Sequence, residues 1–240
     1  MKKILVLLGV VLCIGNVAVL AQPAELTGNQ ILQKSAETYA KLPSYSGSTA
    51  VITQTNFEDG SHSLQVATAQ ITFERSGALH IEGQITNGNP YSIDSDGKKA
   101  TLKIRYSSDE KSTKTTEYDS VDMAIAGATG IAANAPTIIP AALLQSNWGN
   151  PFFKNSEATL LGKETINNID YYKVTASLIT KGFVSQHTYW IDTQNLMLVQ
   201  MREENKSGGD TFLANLHIIS TSSLFTFANG KFLSDKSTNH

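Results

Sequence analysis

The stretch Ile71–Tyr106, ITFERSGALHIEGQITNGNPYSIDSDGKKATLKIRY, decides the fold. It reads as four strands in succession. Side chains alternate across a strand, so Ala67, Ala69, Ile71 and Phe73 share one apolar face. Arg75 falls on that face, at its end. A charge on the inner side of a sheet is costly without a partner or water. Arg75 therefore marks either the rim of the sheet or a cavity with a use for an arginine. The turn signals Ser76-Gly77, Asn87-Gly88-Asn89-Pro90 and Asp94-Ser95-Asp96-Gly97-Lys98 separate the strands. Connections this short predict antiparallel neighbours in a meander.

Upstream, Asn29–Leu42 is predicted as a helix with Ile31, Leu32, Ser35, Ala36 and Tyr39 on one stripe. Thr27 or Asn29 can cap it, and Pro43 stops it. Strands are predicted over Ser46–Phe57 and Leu64–Glu74. Downstream, Thr115–Ser120 extends the meander. The pattern then breaks at Val121–Trp148, VDMAIAGATGIAANAPTIIPAALLQSNW, whose one charge is Asp122. This segment reads as two short helices, the second capped by Asn134. Apolar nearly all round, it must be buried or cover something apolar. From Ala158 the period-two pattern returns, through Ala158–Lys163, Tyr171–Ile179, Ser185–Asp192, Leu196–Glu204 and Thr211–Ser220. The layout predicts a mainly β (α+β) fold. One large curved antiparallel sheet forms an incomplete barrel, covered by the N-terminal helix and the apolar insert.

Met1–Ala21 has the order of a secretory signal peptide. Lys2 and Lys3 precede the apolar run Ile4–Leu20, and cleavage is expected after Ala21. Residues 22–240 are then expected to form a single exported domain, in the periplasm or outside the cell. Cys13, the one cysteine, lies in the leader with Leu12 before it, which argues against lipidation. The mature fold is expected to hold without disulfides. Nineteen basic against 21 acidic residues, with no basic tract, make nucleic acid a poor partner.

No catalytic constellation stands out. His62, His80, His187, His217 and His240 are scattered and fall at no metal-ligand spacing. G-x-S-x-G and phosphate-loop motifs are missing. His80 and Glu82 share a strand face and read as solvated outer residues. The chain is therefore expected to be no enzyme and to need no metal or cofactor. Some strands are apolar on both faces, with Tyr189 and Ile191 opposing Trp190, and Leu196 and Leu198 opposing Met197, Val199 and Met201. Such strands need cover on both sides, from helices, packed core or the wall of a cavity. Met197 and Met201 suit an adaptable apolar wall.

Phe73-Glu74-Arg75-Ser76 followed by Asp96-Gly97 resembles the F-x-x-R-P strand end and "DG" turn of the bacterial periplasmic lipoprotein-carrier (LolA/LolB-like) superfamily, with Ser76 in place of the proline. ILQKSAETYAKLPSYSG is similar to that family's first helix running into its first strand. HTYWIDTQNLMLVQMREE is similar to its W-I-D strand pair, and Phe225-Thr226-Phe227 to its terminal F-x-F. The insert Asn134–Trp148 is closest in character to a subgroup of unknown function. The resemblance implies an unclosed barrel plugged by helices over an apolar cavity for a lipid or a lipoprotein acyl chain. Membrane-associated donor or acceptor proteins would be its partners. It assigns Arg75 to holding a helical lid at Val121–Trp148. Phe73, Ile71, Leu143, Leu144, Trp148, Tyr189, Met197 and Met201 are the ligand or lid residues expected beside it. The alternative is an envelope sensor or adaptor on the same scaffold that binds a protein partner.

Overall fold

The computed structural model describes residues 25–57, 59–86, 88–106, 112–146, 152, 157–180, 183–206 and 212–221. The leader, Trp148 and Phe225-Thr226-Phe227 lie outside them. The chain opens with α1 (Gly28–Lys41) and runs through β1 (Ser44–Asn56), β2 (His62–Glu74), β3 (Ala78–Ile85), β4 (Tyr91–Asp96), β5 (Ala100–Arg105) and β6 (Thr113–Tyr118). Next come α2 (Val121–Ala132) and α3 (Ile138–Leu144). The strands β7 (Ala158–Ile166), β8 (Ile169–Thr180), β9 (Phe183–Asp192), β10 (Leu198–Lys206) and β11 (Phe212–Thr221) follow.

All eleven strands form one antiparallel sheet in the order β6-β5-β4-β3-β2-β1-β11-β10-β9-β8-β7. Two local meanders, β1–β6 and β7–β11, are joined by the β1–β11 seam, where Val51 faces His217 and Ala50 faces Ile218. The outer strands β6 and β7 do not pair, so the barrel is incomplete. The helices α2 and α3 carry the chain from one edge to the other. The strands β2–β6 pack against α2, while α1 packs on α3, β7 and β8.

The inner face of the sheet is the core. Val51, Ala67, Ala69, Ile71, Phe73, Ile81, Ile93, Leu102, Val174, Tyr189 and Ile191 are buried. They meet Ile31 and Tyr39 of α1, Ala124, Ile125 and Ala128 of α2, and Ile139 and Leu143 of α3. Small side chains on α2 let its backbone lie close to the sheet. At Gly127 a Cβ would fall against the Tyr118 hydroxyl.

Thr27 caps α1 in a reciprocal box. Gln30 N–H donates to Thr27 Oγ1 (3.3 Å) and Thr27 N–H to Gln30 Oε1 (2.9 Å). Asn29, the other candidate cap, instead accepts the Ala158 N–H at the β7 edge (2.9 Å). The second insert helix starts later than Asn134. Ala133 and Asn134 both take left-handed backbone, and their turn ends α2, so α3 begins at Ile138 after Thr137. Pro140 sits in the first turn of α3, where no intrahelical N–H is needed.

The β10 strand also differs from its prediction. Leu196 is left-handed (φ 60°), and Leu196 and Met197 lie between the Thr193–Asn195 turn and the strand, which begins at Leu198. A bulge between Leu198 and Gln200 shifts the register. Plain alternation would set Leu198 and Met201 on opposite faces, but the bulge buries both. Trp190 is buried on the other face of β9. Lys173 Nζ lies 5.2 Å from its ring centroid, and Glu164 Oε2 accepts from both Trp190 Nε1 (3.1 Å) and Lys173 Nζ (2.9 Å).

Candidate functional site

Arg75 stands in the turn that follows β2. Its N–H donates to the Pro43 carbonyl (2.8 Å), and Gly77 N–H closes the turn on Glu74 O (2.9 Å). Gly77 (φ +109°) and Gly97 (φ +88°) lie back to back in neighbouring turns. A Cβ on Gly77 would come within 2.8 Å of the Gly97 Cα. Only glycines fit both the backbone sign and the approach. The guanidinium is thus carried out from the sheet end at a fixed angle, with its carbon 4.8 Å from the Phe73 ring centroid.

Three carbonyls receive it. Nη2 donates to Tyr39 O (2.7 Å) and Nε to Leu42 O (3.0 Å), both at the C-terminal end of α1. Nη1 donates to Leu143 O at the C-terminal end of α3 (2.7 Å). The last carbonyls of a helix have no intrahelical donor, and the helix dipole favours a cation there. One side chain therefore ties the sheet end to the ends of two helices. Burial lowers the guanidinium's pKa from its ordinary value, though not enough to discharge an arginine.

Two further joints act on α3. Gln145, left-handed at the helix end, donates through Nε2 to Ala142 O in α3 and to Ala36 O in α1 (3.5 Å). Ser146 Oγ donates to Asp122 Oδ2 in the first turn of α2 (2.7 Å). Neither residue carries a sequence signal, because the partners of Gln145 are backbone and Asp122 is 24 positions away.

Ile71 and Phe73 lie on the buried inner face beneath this joint. Leu143 is buried, and Leu144 packs half-buried against the core. The Met197 side chain packs half-buried at the same end of the sheet. Tyr189 and Met201 are cross-strand neighbours farther along the inner face. The Phe152 ring lies between Tyr189 and Tyr39, with centroids at 6.3 Å and 6.0 Å. It links the sheet to α1. Phe152 was not anticipated from the sequence.

The sheet has a second, polar end. Ala176, His187, Glu203, Asn215 and Thr53 form one cross-strand row over β8, β9, β10, β11 and β1. Asn215 Nδ2 donates to Glu203 Oε2 (3.3 Å), Asn205 Nδ2 to Glu203 Oε1 (3.0 Å), and Thr53 Oγ1 to Asn215 Oδ1 (2.8 Å). His187 is held between Ser185 Oγ (2.8 Å) and Tyr189 OH (2.9 Å), with Nε2 3.9 Å from Glu203 Oε1. His217, one row inward, is 1 % exposed, and neither ring nitrogen has a hydrogen-bond partner. Burial pushes its pKa down to about 4, against the opposing pull of Glu203. Burial also lowers that of His187. Both imidazoles are therefore neutral at pH 7.

On the outer face, His80 Nδ1 lies 2.6 Å from Asp94 Oδ1, with Lys103 Nζ 3.3 Å from Asp94 Oδ2. All three are about half exposed. Among the described residues no group of three or more His, Cys, Asp or Glu could hold a metal ion. None of their helices is long and apolar enough to cross a membrane.

No family model matches the chain, and no curated protein matches it. It is similar to several solved structures. LprF from Mycobacterium bovis matches at 15% identity and a TM-score of 0.48, over 84% of this chain and 96% of that one. The lipoprotein LppX from Mycobacterium tuberculosis matches at 13% identity and a TM-score of 0.45, over 81% and 92%. A LolA superfamily protein from Nitrosomonas europaea matches at 13% identity and a TM-score of 0.32, over 83% and 96%.

Proposed function

We propose that this chain is an exported binding protein that takes an apolar ligand, a lipid or a lipoprotein acyl chain, onto the inner face of its sheet. Binding rather than catalysis is its activity. The observation that carries this reading is the Arg75 joint. One guanidinium at the sheet end ties down the C-terminal ends of α1 and α3 through three backbone carbonyls. One side chain satisfies carbonyls at the ends of two helices, so its withdrawal would free both ends together. A cover that must lift has reason to be held by a few directional bonds rather than by packing alone.

The insert supports this reading in a second way. It is apolar and rich in alanine and glycine, and α2 lies on the inner side of β2–β6. An acyl chain offers the sheet the same chemistry as α2 does. Each methylene buried contributes about 0.8 kcal/mol, so a chain of about twelve carbons can supply on the order of 10 kcal/mol toward displacing the helix. The open and closed states then differ by the ligand's preference for one of them.

Arg75→Leu tests the reading. Loss of the three bonds shifts the balance toward the open state by about 2 kcal/mol after relaxation. A fluorescent long-chain fatty acid should then bind the variant roughly ten- to thirtyfold faster than the wild type in stopped flow. Arg75→Lys, which keeps the charge without the fork, should fall between. Equal association and release rates in all three proteins would remove the joint from the mechanism. Failure of the wild type to bind any long alkyl chain would refute the function itself.

A further inference from the structure

The polar end of the sheet has no part in an apolar cup, yet it is built with care. Glu203 lies on the inner face, with 24% of its side chain exposed. Among the described residues no lysine or arginine pairs with it, and its nearest titratable neighbours, His187 on β9 and His217 on β11, are held neutral by burial. Asn205 and Asn215 each give it one amide donor, which positions the carboxylate without neutralising it. Around it are buried polar atoms with no partner, Asn205 Oδ1 and both ring nitrogens of His217. A neutral imidazole has one acceptor nitrogen, and an amide oxygen is an acceptor only. The free capacity of this end is therefore weighted toward acceptors and carries one negative charge.

We propose that the Glu203 end is a subsite for a primary ammonium group on the ligand, with Glu203 as counter-ion and Asn205 Oδ1 and the His217 ring as further acceptors. An ammonium brings three N–H donors and a positive charge to this set. A carboxylate or phosphate would meet Glu203 as a like charge, and a quaternary ammonium would leave the acceptors unmet. The position fits a head group. From the Tyr45 row at the Arg75 end to the Thr53 row is eight residues along β1, about 26 Å at ~3.3 Å per residue. One leaflet of a bilayer's hydrocarbon core is about 15 Å thick, so an acyl chain running from the polar row toward Arg75 has length to spare. The subsite rests on the apolar-ligand reading for the tail alone. The ammonium chemistry stands on the polar residues.

The test uses two probes at pH 7.5. Ethanolamine, which has no tail, is titrated into the protein while the histidine imidazole resonances are followed by NMR, with acetate and tetramethylammonium as controls. Ethanolamine should move the His217 and His187 signals saturably, and the controls should not. In Glu203→Gln the shift should vanish. Dodecylamine and laurate, which share a tail length, are then compared for binding. The amine should bind roughly tenfold tighter, about the worth of one charge-assisted hydrogen bond, and the ratio should fall toward one in Glu203→Gln. If His217 stays unmoved by ethanolamine and the two amphiphiles bind equally, the subsite is overturned and the apolar reading stands. If ethanolamine moves His217 but no amphiphile binds, the subsite stands and the acyl-chain reading falls. If neither probe binds, both are wrong. The ethanolamine titration needs only the wild-type protein, so a Glu203→Gln variant that fails to fold does not blunt it.

Discussion

At Arg75 a charge on an apolar face is resolved by backbone rather than by a counter-ion. That is why its position could be read from alternation but its partners could not. Carbonyl oxygens leave no mark in a sequence. His217 poses the opposite case, a polar ring on the inner face with no partner. Its folded pKa of about 4 lies below the ordinary value of 6.5, so between these values the unfolded chain binds the proton and the folded chain does not. Stability is complete above pH 6.5 and falls as the pH drops toward 4. The loss integrates to about 3 kcal/mol if His217 acts alone. His187, shifted in the same direction, adds to the slope, while Glu203, facing both rings, favours their charged forms. Urea midpoints measured from pH 7 to pH 4 should show the decline. In His217→Leu the decline should shrink to the share of His187, joined below about pH 4.5 by Glu164, whose carboxyl is held low by hydrogen bonds from Lys173 and Trp190. Asp59 and Asp96, whose carboxyls are held low by hydrogen bonds, lose their contribution only below about pH 4 and do not obscure this window.

At the scale of elements, most strands that alternate cleanly were legible within a residue or two, because one face meets the core and the other water, while β7 runs three residues past its expected end at Lys163. Three departures were not. The bulge that puts Leu198 and Met201 on one face depends on the register with β9, which is a tertiary fact. The start of α3 was misplaced because Asn134, a good cap by residue type, serves equally well in the left-handed turn that ends α2. The polar row of His187, Glu203, Asn215 and Thr53 draws one residue from each of four strands, so no local window holds it. The cover, too, is held by joints between elements. Gln145 joins α3 to α1 and Ser146 joins it to α2. Replacing both with alanine removes about 1–2 kcal/mol of side-chain hydrogen bonding while leaving the Arg75 bonds in place. Amide exchange in Ile138–Leu144 should quicken roughly tenfold, with the amides of β1 and β2 unchanged. Uniform quickening over the molecule would mean that α3 opens only by global unfolding and is no separate cover.

For the whole molecule, the eleven-stranded sheet is left unclosed at β6 and β7, and the chain passes from one of these edges to the other through α2 and α3. Its inner face is already occupied by its own helices, with Ala124, Ala128 and Ile139 fully buried against it. Entry of an acyl chain is then an exchange of one apolar occupant for another. A ligand that fills a ready cavity protects the whole protein, because binding to the folded state alone stabilises everything that is folded. A ligand that replaces α2 stabilises the sheet while freeing the helix. Thermolysin, which cuts beside apolar residues, distinguishes the two. As a long-chain fatty acid is added, cleavage within Val121–Leu144 should rise while β1 and β2 become harder to cut. Arg75→Leu should show the same cleavage at a lower ligand concentration, because its cover is already loosened. Protection of Val121–Leu144 by the fatty acid would place the ligand beneath an unmoved cover, and α2 would then be wall rather than lid.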